Sequence, residues 1–314
     1  MEKNFILGVG CQKGGTTWLS AQLNKSQNVD LGFTKEYHIF DALYVPEARH
    51  MLSRKLKELE YVKKHPEVLA KNPLFMTHLN FYLDTKNYYD YFDSLWQKGE
   101  GIVTSVGDIT PSYAALPKNA LKVIKSELEA RGFNVKIVFL MRDPVERCWS
   151  MARMKLKQFK SAKPKDIPIP TQQEMLASIY QTKKCEIRTR YESTIKNLEY
   201  VFDEQDIFYS FYEKLFEKET LVELQGFLGL NDFLPDTSQK VNVSEKSELD
   251  LDVELASDIF NFYRETYEFC EYRFGVKDFW GGMEICLTSM FPSNDVEFIG
   301  FYEYRDMFYS SHST

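Results

Sequence analysis

The chain has no C-x-x-C pair, no clustered histidines and no long apolar run. Its five cysteines, Cys11, Cys148, Cys185, Cys270 and Cys286, lie far apart, and their number is odd. In a 314-residue chain such spacing suits reduced thiols rather than a disulfide framework. His38, His50, His65, His78 and His312 are equally scattered, so no metal-ligand spacing is present and no metal is expected. No stretch approaches the roughly 20 apolar residues that span a bilayer, so no transmembrane segment is expected. Charged Glu2 and Lys3 precede a short apolar run that leads directly into a glycine loop, which is not a signal-peptide pattern. The expectation is a cytoplasmic protein, in which the sequon-like "NVS" at Asn242 carries no meaning. Positive charge is also short. A formal net charge of −7 argues against a protein that coats nucleic acid, although it leaves room for a local basic pocket. There is no internal repeat and no low-complexity tract.

What is present is ordinary for a soluble globular chain, with 44% hydrophobic and 27% charged residues. The reading is a single domain over residues 1–314. A charged and aromatic helical insertion covers about 49–96, and an aromatic C-terminal extension covers about 280–314. "NFILGVG" predicts a buried strand, and "TTWLSAQLNKS" predicts a helix from the spacing of Trp18, Leu19 and Leu23. Further strands are predicted over Ile102–Asp108, Asn134–Arg142 and Asp206–Tyr212. Helices are predicted over Lys118–Arg131, Val145–Gln158 and Glu186–Phe202. This alternation implies an α/β fold with a central parallel sheet flanked by helices. The proline-rich stretch Lys160–Glu174 reads as a mobile surface loop, a candidate lid.

Between the first strand and helix lies "GCQKGGTT", Gly10 to Thr17. On the G-x-x-x-x-G-K-[S/T] template of triphosphatases, Gly10, Gly15 and Thr17 fit. The lysine position, however, holds Thr16, and the only lysine is Lys13. Backbone N–H groups at a glycine loop and helix start form an anion site. With its lysine displaced, this loop suits a single phosphate and a leaving group steadied from the other side better than a magnesium triphosphate.

Two further stretches add chemistry. "FLMRDPVERCWS" places Arg142 just past the strongest strand, where open α/β sheets bind ligands, and Pro144 fits a helix first turn. Arg142 and Ser150 could grip a second phosphate. The alternative is a strand-end arginine paired with Asp143 or Glu146, and Arg147 reads as structural. "TKEYHIFD" gathers Lys35, Glu36, His38 and Asp41. If extended, it puts Glu36, His38 and Phe40 on one face, a carboxylate and imidazole suited to taking a proton from a hydroxyl or amine. The plain alternative is a solvated polar loop.

Together these stretches resemble the sulfotransferase superfamily, whose donor is 3′-phosphoadenosine 5′-phosphosulfate (PAPS) and whose nucleotide product is the bisphosphate PAP. "QKGGTTWL" resembles the 5′-phosphosulfate loop, and "RDPVERCWS" matches the R-x-P-x-x-R-x-x-S pattern of the 3′-phosphate site. "KEYHIFD" and "GDITPSY" resemble segments of the heparan sulfate enzymes and their relatives. The likeness runs over roughly residues 5–245. It implies a P-loop-like nucleotide-binding fold and a metal-free transfer. Lys13 falls on the residue that contacts the bridging oxygen, and Gly14, Gly15, Thr16 and Thr17 on the cradle of the 5′-phosphate. Trp18 falls near the nucleotide, or else serves as a helix core residue. Arg142 and Ser150 fall on the 3′-phosphate site, and Tyr212 near the adenine. Glu36 is implied as the general base, with His38 an alternative base or orienting partner.

The chain also departs from those enzymes. Ile109 replaces a lysine that faces their anionic sugar, and the K-G-R type phosphate segment is missing, with Lys240, Asn242 and Lys246 in its region. The expected acceptor is therefore a small molecule, lipid or sugar bearing a hydroxyl, less often an amine. The rival readings are a P-loop nucleotide kinase or NTPase, with Asp108 as its magnesium carboxylate, and a non-catalytic nucleotide-binding scaffold.

Overall fold

The computed structural model describes residues 2–162, 167–233, 235–237 and 251–282. Five parallel strands form one sheet: β1 (Asn4–Gly10), β2 (Val29–Asp30), β3 (Ser105–Ile109), β4 (Asn134–Met141) and β5 (Ile207–Phe211), in the order β2-β3-β1-β4-β5. The short edge strand β2 lacks the apolar run that marks the others and was not expected. Expected boundaries shift by one to three residues, most at β3, which starts at Ser105 rather than Ile102.

Both faces of the sheet are covered, as parallel strands require. Along β1, Phe5, Leu7 and Val9 enter one core with Val106, Phe139 and Met141. Ile6 enters the other core with Ile109, Val138, Leu140 and the helix residues Trp18, Leu19 and Leu23. Period-two alternation therefore survives in a fully buried strand by feeding two cores.

The insertion is helical, with helices His50–Lys64, Val68–Lys71, Phe75–Leu83 and Lys86–Lys98. Its Phe81, Tyr88, Tyr89 and Phe92 join the larger core, and Leu79 packs in a small separate cluster with Val62 and Phe75. The helix after β4 is longer than expected, Pro144–Ala162, and so shortens the predicted loop. Thr171 and Glu174 close a capping box on the Gln172–Ile179 helix. The expected helix Glu186–Phe202 divides into Lys183–Glu186 and Tyr191–Glu199.

The expected extension begins at a core residue. Trp280 is fully buried against Tyr191, Phe211 and Tyr267 and belongs to the core. From residue 283 onward the extension, with Cys286 and His312, lies outside the described residues, as do Lys240, Asn242 and Lys246. Among the described residues, no helix is long and apolar enough to cross a membrane.

Candidate active site

From β1 the chain goes to the edge strand β2 and returns through β3 beside β1, then crosses to β4 and β5 on the other side. The C-terminal ends of β1 and β4 therefore flank the point where strand order reverses, the usual ligand crevice of such sheets. The glycine loop leaves β1 there, and Arg142 leaves β4 there.

The loop is tightly held. The Gly14 N–H donates to the Cys11 carbonyl at 3.0 Å, and a Cβ on Gly14 would stand 2.7 Å from the Leu140 carbonyl oxygen. Gly15 has φ +95°, a backbone only glycine adopts freely, and a Cβ there would strike Leu215 at 2.5 Å. The helix Thr16–Leu23 begins directly after it, with no side-chain cap. Its first intrahelical bond runs from Leu19 N–H to Gly15 O, so the preceding N–H groups face the crevice end unpaired by the helix. Thr16 is buried and Thr17 half-buried. Trp18 lies in the helix core, edge-on to Phe216 at 5.1 Å, with its indole N–H donating to the Asp236 carbonyl.

Cations gather over this loop. Lys13 sits at φ 76°, and its carbonyl accepts from Arg142 at 3.4 Å. The Arg142 guanidinium lies over the Tyr212 ring at 4.4 Å and pairs with Glu146 at 3.0 Å, leaving its buried Nε without a partner. Arg153 stands one helical turn beyond Ser150 and makes no ion pair among the described residues, and its Nε is likewise unpartnered. Burial first, then the charges of Arg142, Arg153 and Lys35, push the Lys13 ammonium below the usual lysine range. Burial and Arg142 do the same to Arg153. Glu146 is the single carboxylate ion-paired within this group of described residues. Ser150 is buried in the second turn of the Pro144–Ala162 helix.

Glu36 and His38 do not reach each other along a strand. His38 has φ 56° and caps the helix Ile39–Tyr44, which carries Phe40 into the core instead of onto a shared face. The turn still joins them. His38 Nε2 lies 3.1 Å from Glu36 Oε2, and Nδ1 lies 2.8 Å from Asp41 Oδ2 and 3.1 Å from the Ser112 hydroxyl. Lys35 Nζ donates to Glu36 Oε1 at 2.5 Å. Burial pushes the imidazole down, but the bonds and charges of Asp41 and Glu36 overcome it and hold it at about 9. Burial pushes the Glu36 carboxyl up, but bonds to His38 and Lys35 bring it to about 2. At neutral pH the arrangement is an imidazolium held between the Glu36 carboxylate and Asp41.

The "GDITPSY" segment builds that arrangement. The Thr110 hydroxyl accepts from Tyr37 N–H at 2.9 Å, and the Tyr113 hydroxyl accepts from Ile39 N–H at 3.2 Å. Asp108 is enclosed: Thr110 donates to its Oδ1, and Tyr88 and Tyr113 both donate to its Oδ2. Burial raises it to about 6 against those bonds.

Arg147 is fully buried, held by the Cys185 carbonyl and sulfur and the Thr189 hydroxyl. Two further residues escaped the sequence reading. Arg153 had no motif to mark it, although its i+3 spacing from Ser150 puts it on the same helical face. Glu213, just past β5, accepts from Asp143 N–H and the Trp280 indole, and burial raises it to about 7.

A cavity of about 220 Å³ opens beside this arrangement, lined by Phe33 and Thr34 and by Lys55, Asn72, Leu74, Phe75 and His78 of the insertion. Among the described residues, no group of three or more metal-ligating side chains converges.

Comparison with known proteins places these features in a family. Residues 3–250 match the family model described as a sulfotransferase domain. A crystal structure of a sulfotransferase from Alicyclobacillus acidocaldarius aligns over 87% of this chain and 95% of its own, with a TM-score of 0.52 at 17% identity. The sulfotransferase STF9 from Mycobacterium avium aligns over 84% of this chain and 76% of its own, with a TM-score of 0.42 at 16% identity. No curated protein sequence matches the chain.

Proposed function

The chain belongs to the sulfotransferase domain family, and on that premise we propose that it moves a sulfonate group from PAPS to a hydroxyl of a small-molecule, lipid or sugar acceptor. The observation that supports the reading is a cationic cluster at the β1 and β4 strand ends whose Lys13 also feels Lys35, the partner of Glu36. In it stand Lys13, Arg142 and Arg153, under-neutralised cations beside free helix-start N–H groups. Lys35, whose charge reaches Lys13, is bonded to the ionised Glu36.

The donor fits the residues present. The loop N–H groups and Thr17 suit its 5′-phosphate. Arg142, with its orphaned Nε, suits the 3′-phosphate, with Ser150 and Arg153 on the neighbouring helical face. Tyr212 offers a ring beside them. When bound, the donor supplies an electrophilic sulfur on a good leaving group. Glu36 accepts the proton of the acceptor hydroxyl as that oxygen bonds to sulfur. Lys13 stabilises the charge left on the phosphate oxygen as the old sulfur–oxygen bond breaks. A carboxylate near 2 is a weak base, but an attacking hydroxyl becomes strongly acidic as its new bond forms, so a weak base suffices. His38, already protonated, orients Glu36 rather than taking the proton itself. The cavity against the insertion suits the acceptor.

The magnesium-dependent rival has less support. Its carboxylate, Asp108, has both oxygens occupied by hydroxyls, and Thr16 leaves the triphosphate lysine position uncharged. The test is thermal stability with PAP against ATP plus magnesium, followed by a labelled-PAPS screen of hydroxylated acceptors. PAP should raise Tm. Stabilisation by ATP–magnesium alone overturns the reading.

A further inference from the structure

A second cationic group lies within electrostatic reach of Asp41, the carboxylate bonded to His38 Nδ1. Arg188 is 3% exposed, yet among the described residues its guanidinium has one protein acceptor, the Lys184 carbonyl at 3.3 Å, and its Nε has none. Among the described residues it forms no ion pair. Buried guanidinium groups are normally paired, because an uncompensated charge costs several kcal/mol in a low-dielectric interior. The neighbouring Arg147 has a fuller set: the Cys185 carbonyl and sulfur and the Thr189 hydroxyl accept from its Nη2 and the Gln12 carbonyl from its Nη1, although its Nε too is left over. Arg188 has no such set.

Nor is it alone. Lys184 is half-buried and makes no ion pair among the described residues, and burial, then Arg188 and Lys155, push its ammonium down. Lys155 is half-buried on the helix that carries Ser150. The opposing charges that act on Arg188 are Asp41, Cys185 and Glu47. Asp41 is fully buried, spends Oδ2 on His38 and Ser112, and leaves Oδ1 without a donor. A buried cation with a single carbonyl acceptor and a buried carboxylate oxygen lacking a donor thus lie within electrostatic reach of each other without bonding. That pattern belongs to a site whose third member comes from outside the chain.

We propose that Arg188, Lys184 and Lys155 form an anion-binding subsite for the acceptor, which therefore carries a phosphate or carboxylate group besides the hydroxyl that is sulfonated. The inference rests on the sulfotransferase reading and narrows its acceptor class. The anion neutralises Arg188 and Lys184, and through Asp41 and His38 it is coupled to the base Glu36. Docking of the anion fixes the acceptor at a set distance from Glu36, which gives specificity without the lysine that Ile109 replaces.

The test uses the full chain saturated with PAP, so that the donor's phosphate positions are filled. Inorganic phosphate and succinate are then titrated separately while Tm is followed. One or both should raise Tm further, and which does so separates a phosphate from a carboxylate acceptor. Arg188→Gln and Lys184→Gln should weaken that second response roughly tenfold or more, as expected for the loss of a charge-assisted bond, with the PAP response unchanged. Arg188→Gln should also leave the free protein as stable as wild type or more so, because it removes an uncompensated buried charge. A purely structural arginine would instead lower Tm on replacement. The proposal is overturned if neither anion adds to the PAP effect, or if both variants respond like wild type. If Arg188→Gln does not fold, the structural role is supported and an unchanged response of Lys184→Gln completes the refutation. Failure of PAP itself to raise Tm counts against the donor reading. The phosphate response of the PAP-free variants then decides the subsite separately.

Discussion

Lys13 and His38 share an uncommon backbone: both are non-glycine residues at positive φ, at 76° and 56°. Such conformations cost on the order of 1–3 kcal/mol and persist where the surrounding structure imposes them. Each stands in a loop that the proposed mechanism uses. Lys13→Ala should keep the fold and PAP-induced stabilisation while lowering transfer by about a hundredfold or more, as for loss of one group that stabilises developing charge; single-turnover assays read it. The pH dependence follows from Glu36 and His38. Glu36 is ionised above about 2 and His38 protonated below about 9, so kcat/KM should fall as pH rises through about 9. The imidazole's raised value also means its stabilising contribution is complete below the ordinary histidine value of about 6.5 and is lost as pH climbs to about 9. Asparagine tolerates the left-handed backbone, so His38→Asn should fold and lose this alkaline fall in the urea midpoint. An alkaline limb in rate that survives the substitution belongs to Lys13, whose ammonium is also depressed.

At the scale of elements, two loops lock each other. The segment after β3 holds Tyr37 and Ile39 by their N–H groups, and those bonds set the turn in which Glu36 meets His38. Thr110→Val would leave the Tyr37 N–H and an Asp108 oxygen buried and unpaired, costing about 1–3 kcal/mol by urea denaturation. Its kcat should drop while the PAP midpoint holds, since Thr110 supports the acceptor side and not the glycine loop. Opposite stands the β1 loop, where space and not charge decides. Gly14→Ala would push a methyl into the Leu140 carbonyl, so loss of PAP binding should accompany its loss of stability.

Over the whole molecule, the C-terminal residues hold the site from behind. Asp143, next to Arg142, accepts from Tyr267 O–H at 2.6 Å and Gly282 N–H at 2.7 Å, while Glu213 joins Asp143 N–H to the Trp280 indole. Trp280→Ala should therefore cost about 3–5 kcal/mol by denaturation, the range for emptying a buried tryptophan site. It should also weaken PAP binding without touching any ligand-facing group, because Arg142 leaves the strand end that these contacts fix.

Much of this protein is legible in order along the chain. The strand–loop–helix of residues 4–23, the placement of Arg142 past β4 and the parallel sheet follow from hydrophobic period, glycine position and connection length, all local properties. The closeness of Glu36 and His38 was also legible, although a turn and not a strand produces it, because two residues of separation cannot hide them from each other. The remainder depends on distant partners. Arg153 reads as one more helix charge until Lys13, 140 positions earlier by numbering, is folded against it. Glu213 meets Trp280 across 67 residues. Arg188 shows nothing in sequence, since its significance lies in burial without a counter-charge. Local pattern determines which elements form and what groups they carry. Only the packing of those elements decides which charges lose water and which of them find a partner.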